Sequence, residues 1–184
     1  TGTPSLITIN GTGIFNLNNT NQKIALASAS STASVTLGSG TFNIDNTGTD
    51  TYAGTISGSG AVTKTNTGIE ILTNTTNNYT GATTITAGEI RLQPSANATF
   101  ASQIVLNGGT LGTTGITATR TWTSSSTLNL GASSTIALAS ATAHTLTFAA
   151  SNGVSWSSPA MIRITGWSGS YNGTTGTGGK IFIG

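Results

Sequence analysis

The chain has no cysteine, which excludes disulfides, thiolate metal sites and cysteine nucleophiles. It has little charge: six basic and four acidic residues give a net charge of +2, too small to draw nucleic acid or a membrane surface. No basic cluster or RNA-binding aromatic motif is present. No run approaches the ~18 consecutive apolar residues that a membrane-spanning helix needs. Only one histidine, His144, and the acids Asp45, Asp50, Glu70 and Glu89 are available for proton transfer. Catalysis by positioned acids and bases is therefore poorly supplied. The start, Thr-Gly-Thr-Pro, carries neither Met nor a signal peptide, and Lys180-Ile-Phe-Ile-Gly184 reads as an interrupted strand. Both ends suggest a processed product or a fragment.

What remains is Thr, Ser, Asn and 25 glycines around short β-branched runs, a composition that favours strand over both helix and disorder. The Ala-rich stretch 25–33 lacks a polar face and is not expected to be helical. The organising stretch is Tyr52 to Leu92. Within it, Ile85 and Ala87 alternate with Thr84 and Thr86, and after Gly88 the apolar residues are Ile90 and Leu92. A strand keeps one parity on one face. A parity switch across a glycine means that the chain bends there while both arms still aim apolar groups to one side. Two short strands joined at a corner suit a rung of a parallel solenoid better than a hairpin, since no Asn-Gly sits at the bend.

Similar switches occur between Val35/Leu37 and Phe42/Ile44 across Gly38-Ser-Gly40, and between Ile104/Leu106 and Leu111 across Asn107-Gly-Gly109. Units beginning near Ile7, Ser34, Ala61, Thr83, Gln103 and Thr127 recur every ~20–27 residues, a spacing typical of repeat architectures. The expected fold is all-β: one domain over 1–184, a right-handed parallel β-helix of short strands with Gly-rich corners. About eight rungs at ~4.8 Å would give a rod of roughly 40 Å.

The stretch 52–92 also resembles a known family, the autotransporter-associated β-strand repeat of bacterial passenger proteins. The resemblance rests on Tyr52-Ala-Gly54-Thr-Ile56-Ser-Gly58-Ser-Gly60, Thr63-Lys64-Thr65 with Gly68, Leu72-Thr73, Asn78-Tyr79-Thr80-Gly81, Thr83-Thr84-Ile85, and Ala87-Gly88 with Leu92. Asn66 and Glu70 depart from it, standing where the family usually has Gly and Thr, and the loop Asn74–Asn78 is one residue long by comparison. From Ser134 to Gly184 the chain is similar to the closing segment of repeat proteins exported by Gram-negative bacteria. Together these imply a right-handed solenoid displayed at the cell surface or outside a Gram-negative cell, and they imply scaffold rather than activity.

Candidate sites follow from residue type. A Ser-His-Asp triad needs an acid to orient the base, and His144 has none nearby in sequence, which makes it a surface or corner residue. Asp45-Asn-Thr-Gly-Thr-Asp50 offers two carboxylates for calcium but lacks an EF-hand or β-roll pattern, so a solvated turn is the simpler reading. Glu70, Glu89 and Arg91 read as surface charges forming an ion pair. Trp122, Trp156, Trp167 and Tyr171 could stack on a sugar or partner, or instead cover the core. The sequons at Asn10, Asn18, Asn74, Asn78, Asn97 and Asn172 are expected by chance in such a composition. The terminal runs containing Leu6, Ile7 and Ile9, and Ile181, Phe182 and Ile183, are candidates for self-association by strand addition.

The leading expectation is a non-catalytic extracellular structural or adhesive solenoid, without cofactor or metal. Its partner would be itself in a head-to-tail filament, or a cell-surface or matrix component. The alternatives are a stalk segment of a monomeric adhesin, a carbohydrate- or ice-binding module using Thr ladders, and a polysaccharide-degrading β-helix.

Overall fold

A computed structural model describes residues 5–168 and 178–184. Among these residues there is no helix, and all strand pairings are parallel. The chain is a β-solenoid. Its first face is a seven-stranded sheet of Leu6–Thr8, Gln22–Ala27, Thr41–Ile44, Ala61–Lys64, Thr83–Ile85, Ile104–Asn107 and Leu128–Ala132, stacked in chain order. The second face stacks Thr49–Tyr52, Ile69–Leu72, Glu89–Leu92, Thr110–Gly112, Ser134–Ala137 and Ile162–Thr165. The third face is split. Ile14–Asn16, Ser34–Thr36 and Thr55–Ser57 form one sheet, and Ala98–Phe100, Arg120–Ser124, His144–Phe148 and Gly179–Ile183 form another.

Between the two parts of the third face, Asn77–Thr80 runs as loop. Asn78 N still donates to Ile56 O at 3.1 Å and Thr80 N to Gly58 O at 3.0 Å, so the backbone continues the ladder without being a strand. The Asn77 carboxamide oxygen takes the Ile56 N–H at 2.8 Å, and Tyr79 is buried.

The parity switches mark corners, as expected. Ile85, Ile90 and Leu92 all point into the core, on either side of Gly88 at φ +62°. Strands alternate buried and partly exposed residues, as Thr41–Ile44 and Ala61–Lys64 do, so one side chain in two feeds a continuous interior. Each fully buried Ile, Leu or Phe contributes about 1.5–3 kcal/mol.

One expectation needs correction. Ser34 does not begin a unit equivalent to Ala61: it pairs with Ile14 and Thr55 on the third face, whereas Thr41 stacks under Ala61. The corner at Gly38-Ser-Gly40 therefore joins the third face to the first, while those at Gly88 and Gly109 join the first to the second. A glycine-marked parity switch reports a bend but not which bend. The strands Thr49–Tyr52 and Ala98–Phe100 carry no apolar alternation in the sequence, because Tyr52 and Ala98 are their only buried apolar residues.

Candidate functional site

The two ends of the solenoid carry its exposed apolar surface. Among the described residues, every large hydrophobic side chain classed as exposed lies in the first or last turn. Leu6 and Ile14 are at one end; Trp156, Met161, Ile164, Trp167, Phe182 and Ile183 are at the other. Among the described residues, Leu6–Thr8 pairs on one side only, as do Ile162–Thr165 and Gly179–Ile183, so each presents a strand edge with no described partner. Of the residues expected to self-associate, Leu6, Phe182 and Ile183 are exposed, and Ile7 and Ile181 are partly buried against the core. Ile9 must be withdrawn from that set. It is buried beneath the first turn, its N–H bonded to Ala27 O and its carbonyl accepting from Ser28 Oγ at 2.6 Å.

The C-terminal end is partly covered, although the sequence shows no obvious cap. Trp156 Nε1 donates to Leu128 O at 3.2 Å and Ser157 N to Leu130 O at 2.9 Å, closing the last strand of the first face. Trp156 thus acts as edge cover with its ring 41% exposed. Trp167 is half exposed on the same end. Tyr171 lies outside the described residues.

Trp122 must be removed from the ligand-stacking candidates: it is buried inside the solenoid, edge-on to His144 with ring centroids 5.6 Å apart. His144 is not a surface residue either. Its Nδ1 faces Thr142 O at 2.7 Å, which assigns the proton there and leaves Nε2 to accept from Thr113 Oγ1 at 2.7 Å. Burial pushes its pKa down, opposed by the bond to Thr142 O. Thr113 Oγ1 also takes the Ala139 N–H at 3.1 Å and is fully buried, so this pair latches two turns together and meets no substrate.

A second polar group sits inside the corner between the first and second faces. Lys64 points into the core between Ile44 and Ile85, its register partners, and is fully buried. Its Nζ turns back and donates to Thr65 O at 2.5 Å and Asn66 O at 2.9 Å. Glu70, expected at the surface, is also fully buried, in register with Asp50 and Ile90. The physical reason is stacking: Leu72 pairs with Leu92, which aims Glu70 inward and leaves Ile69 and Ile71 half exposed.

Asn46, one turn below Asn66, donates from Nδ2 to Ile69 O at 2.7 Å, Gly48 O at 3.3 Å and Glu70 Oε2 at 3.4 Å. Asn46 Oδ1 and Glu70 Oε1 are buried without a hydrogen-bond partner. Burial pushes the Glu70 carboxyl up to about 9, with Asp50 adding and Lys64 opposing. Burial pulls Lys64 down to about 8, against the charges of Glu70, Asp45 and Asp50. Tyr52 is raised by burial and by the charge of Glu70.

The remaining charges are dispersed. Glu89 and Arg91 pair at 2.6 and 2.9 Å on the outside. Asp45 faces out to Lys23 at 3.4 Å and accepts from Thr65 Oγ1 at 2.9 Å, whereas Asp50 lies on the inward side of its strand. The two carboxylates suggested for calcium therefore diverge. No cluster of three or more acidic, His or Cys side chains is gathered among the described residues. Threonine pairs do stack outside the third face, Thr121 on Thr145 and Thr123 on Thr147. Thr99 lies one turn below Thr123, and the strand after Thr145 and Thr147 places Lys180 and Phe182 there, so the two columns run for two and three turns. No helix among the described residues is long and apolar enough to cross a membrane. No family model, curated protein or solved structure matches the chain.

Proposed function

We propose that the chain is a non-catalytic structural solenoid, displayed outside a Gram-negative cell and joined end to end with further copies of itself. The observation that carries this reading is the placement of apolar surface: among the described residues the exposed large hydrophobic side chains, Leu6, Ile14, Phe182 and Ile183 among them, fall in the first and last turns, where strand edges lack a described partner. Such edges template further strands, and a head-to-tail contact that does not close into a ring grows a filament. The dispersal of the few acids and bases supports a role without chemistry. The resemblance of residues 52–92 to passenger repeats supports the surface location.

A chain lacking 181–184 should remain folded by circular dichroism yet stay monomeric, while the full chain forms fibres visible by electron microscopy. A full chain that sediments as a monomer at high concentration and shows no fibres would overturn the filament. The ends would then serve to join further turns of a stalk, the second reading supported by the same open edges.

A further inference from the structure

We propose that a groove at the corner between the second and third faces, built around Arg120, binds a uronate unit of an acidic polysaccharide.

The groove lies between the loop that follows Leu92 and the loop one turn above it, which leads into Arg120, and it holds about 330 Å³. That is the small end of the ~300–1,000 Å³ range of ligand sites. Gln93, Pro94, Ser95, Ile116, Thr117 and Arg120 are among its lining residues. Arg120 begins the strand Arg120–Ser124 with the parity of the buried Trp122 and Ser124, one turn below His144 in the same column. His144 fills its own corner by bonding Thr113 and Thr142. Arg120 lines the groove instead. Its Nε donates to Pro94 O at 3.3 Å and its Nη1 to Thr119 O at 2.8 Å, while Nη2 has no acceptor among the described residues. No described carboxylate stands within ion-pair reach of it: the pairs formed are Lys23 with Asp45 and Arg91 with Glu89. The guanidinium is thus fixed by two carbonyls and left without a countercharge. Gln93 Nε2 donates to Thr114 O at 2.5 Å, which leaves its Oε1 to accept. Gly115 permits this crossing: it stands at φ +85°, and a Cβ there would overlap the Gln93 carboxamide.

The lining selects the ligand. A guanidinium stays charged, and its planar fork matches a carboxylate. A neutral ligand would leave that charge unanswered, and a bare anion would leave most of the hollow empty. Ser95 and Thr117 are exposed hydroxyls and Gln93 supplies an acceptor, a set suited to sugar hydroxyls. Pro94 and Ile116 offer an apolar wall to the C–H face of a ring. A pyranose that carries a carboxylate meets all three demands. On the other side of Gly115 and Ile116 a second hollow of about 320 Å³, lined in part by Ser140 and Thr142, opens one turn higher. The step between turns is ~4.8 Å, so successive rings of one chain can occupy successive turns. Neither hollow is lined by a carboxylate or a histidine, so the site binds the chain and does not cleave it. The groove is on the flank of the solenoid, and the inference is independent of what the ends do.

The test is calorimetric titration of the purified, folded chain with an oligomer of galacturonate, run beside its methyl ester, an oligomer of glucose and inorganic phosphate. The free acid should bind saturably, and the ester and the glucose oligomer about tenfold more weakly or worse, since the charge-assisted bonds to the guanidinium are gone. Arg120→Gln should lose affinity by a similar factor, and Arg120→Lys should lose part of it, keeping the charge without the fork. Arg163→Gln, which removes one positive charge from the strand Ile162–Thr165, should bind as wild type. Folding of each variant is checked by circular dichroism, and the comparison of acid with ester stands on the wild-type chain alone. No saturable binding to the folded wild type, or equal affinity for acid and ester, would overturn the proposal. So would an equal loss in Arg163→Gln, which would mean diffuse attraction. Phosphate bound as tightly as the oligomer would overturn it too, leaving a site for small anions only.

Discussion

Ile90 sits directly on Glu70, Cα paired to Cα in adjacent strands of the second face, and both side chains enter the core. One column of the interior thus passes from carboxyl to hydrocarbon in a single step. The exchange is tolerated because burial, with the charge of Asp50 adding to it, favours the neutral Glu70 carboxyl, which also accepts a hydrogen bond from Asn46.

Placing an acid at Ile90 should therefore be far worse than the natural acid below it. Ile90→Asp removes about 1.5–3 kcal/mol of burial and adds several more for a buried unpaired charge. It should prevent folding, as read by circular dichroism. Glu89→Ser on the neighbouring outward position loses a partly covered ion pair with Arg91, creates no buried charge in the apolar core, and should melt far above Ile90→Asp. Equal melting of the two variants would refute the register.

The raised Glu70 pKa makes stability fall with rising pH. Its folded value of about 9 lies above the ordinary 4.5, so the folded state holds a proton that the unfolded chain releases. The contribution is complete below pH 4.5 and is lost towards pH 9. Between pH 6.5 and 8, urea titrations should show a loss of about 1–2 kcal/mol. Glu70→Gln should abolish that slope.

His144 acts in the opposite sense. Its folded pKa lies below the ordinary 6.5, so its contribution is present above pH 6.5 and is lost as the pH falls through the folded value. Acid melting should therefore shift to lower pH in His144→Gln, provided that the amide retains a bond to Thr113.

Trp122→Ala should cost about 3–5 kcal/mol, the range for a large aromatic removed from a core. Thr123→Ser, on the exposed side of the same strand, should stay within about 0.5 kcal/mol. Chemical denaturation of the two variants decides whether Trp122 is core or contact surface.

Gly60→Ala should be severely destabilising, because a Cβ there would overlap the backbone carbonyl of Gly40 and lie 2.9 Å from Leu37 Cβ. Backbone cannot step aside within a locked stack, so a loss above about 2 kcal/mol is expected. Gly48→Ala meets nothing within 4 Å and should melt near wild type. A melting curve for each separates close stacking from generic loss of a glycine.

How far the sequence could be read depended on what each residue's neighbours were. Ile85, Ile90 and Leu92 were legible because their parity and the bend at Gly88 are local facts. Glu70 was not: Ile69-Glu-Ile-Leu72 alternates as though the isoleucines faced inward, and only the match of Leu72 to Leu92 in the next turn reverses it. His144 was misread for the same reason, since Thr113, which accepts its company in the core, is separated from it by thirty-one positions. The open ends were visible as apolar runs, but the cover that Trp156 places over Leu128 depends on a contact across a whole turn.

The regular stacking has a kinetic consequence. Leu6 pairs with Ala25, Thr83 with Val62 and Ile104, and Glu89 with Ile69 and Thr110: each strand waits only for the segment roughly one turn away. Among the described residues no strand pairing joins the two ends, so the loop to be closed at each step stays short and nearly constant. A formed turn offers a ready template to the next, and assembly can run from either end or outward from the middle. A chain emerging gradually, one end first, could therefore become native in step with its emergence, never leaving more than about one turn of uncommitted polypeptide behind the growing front.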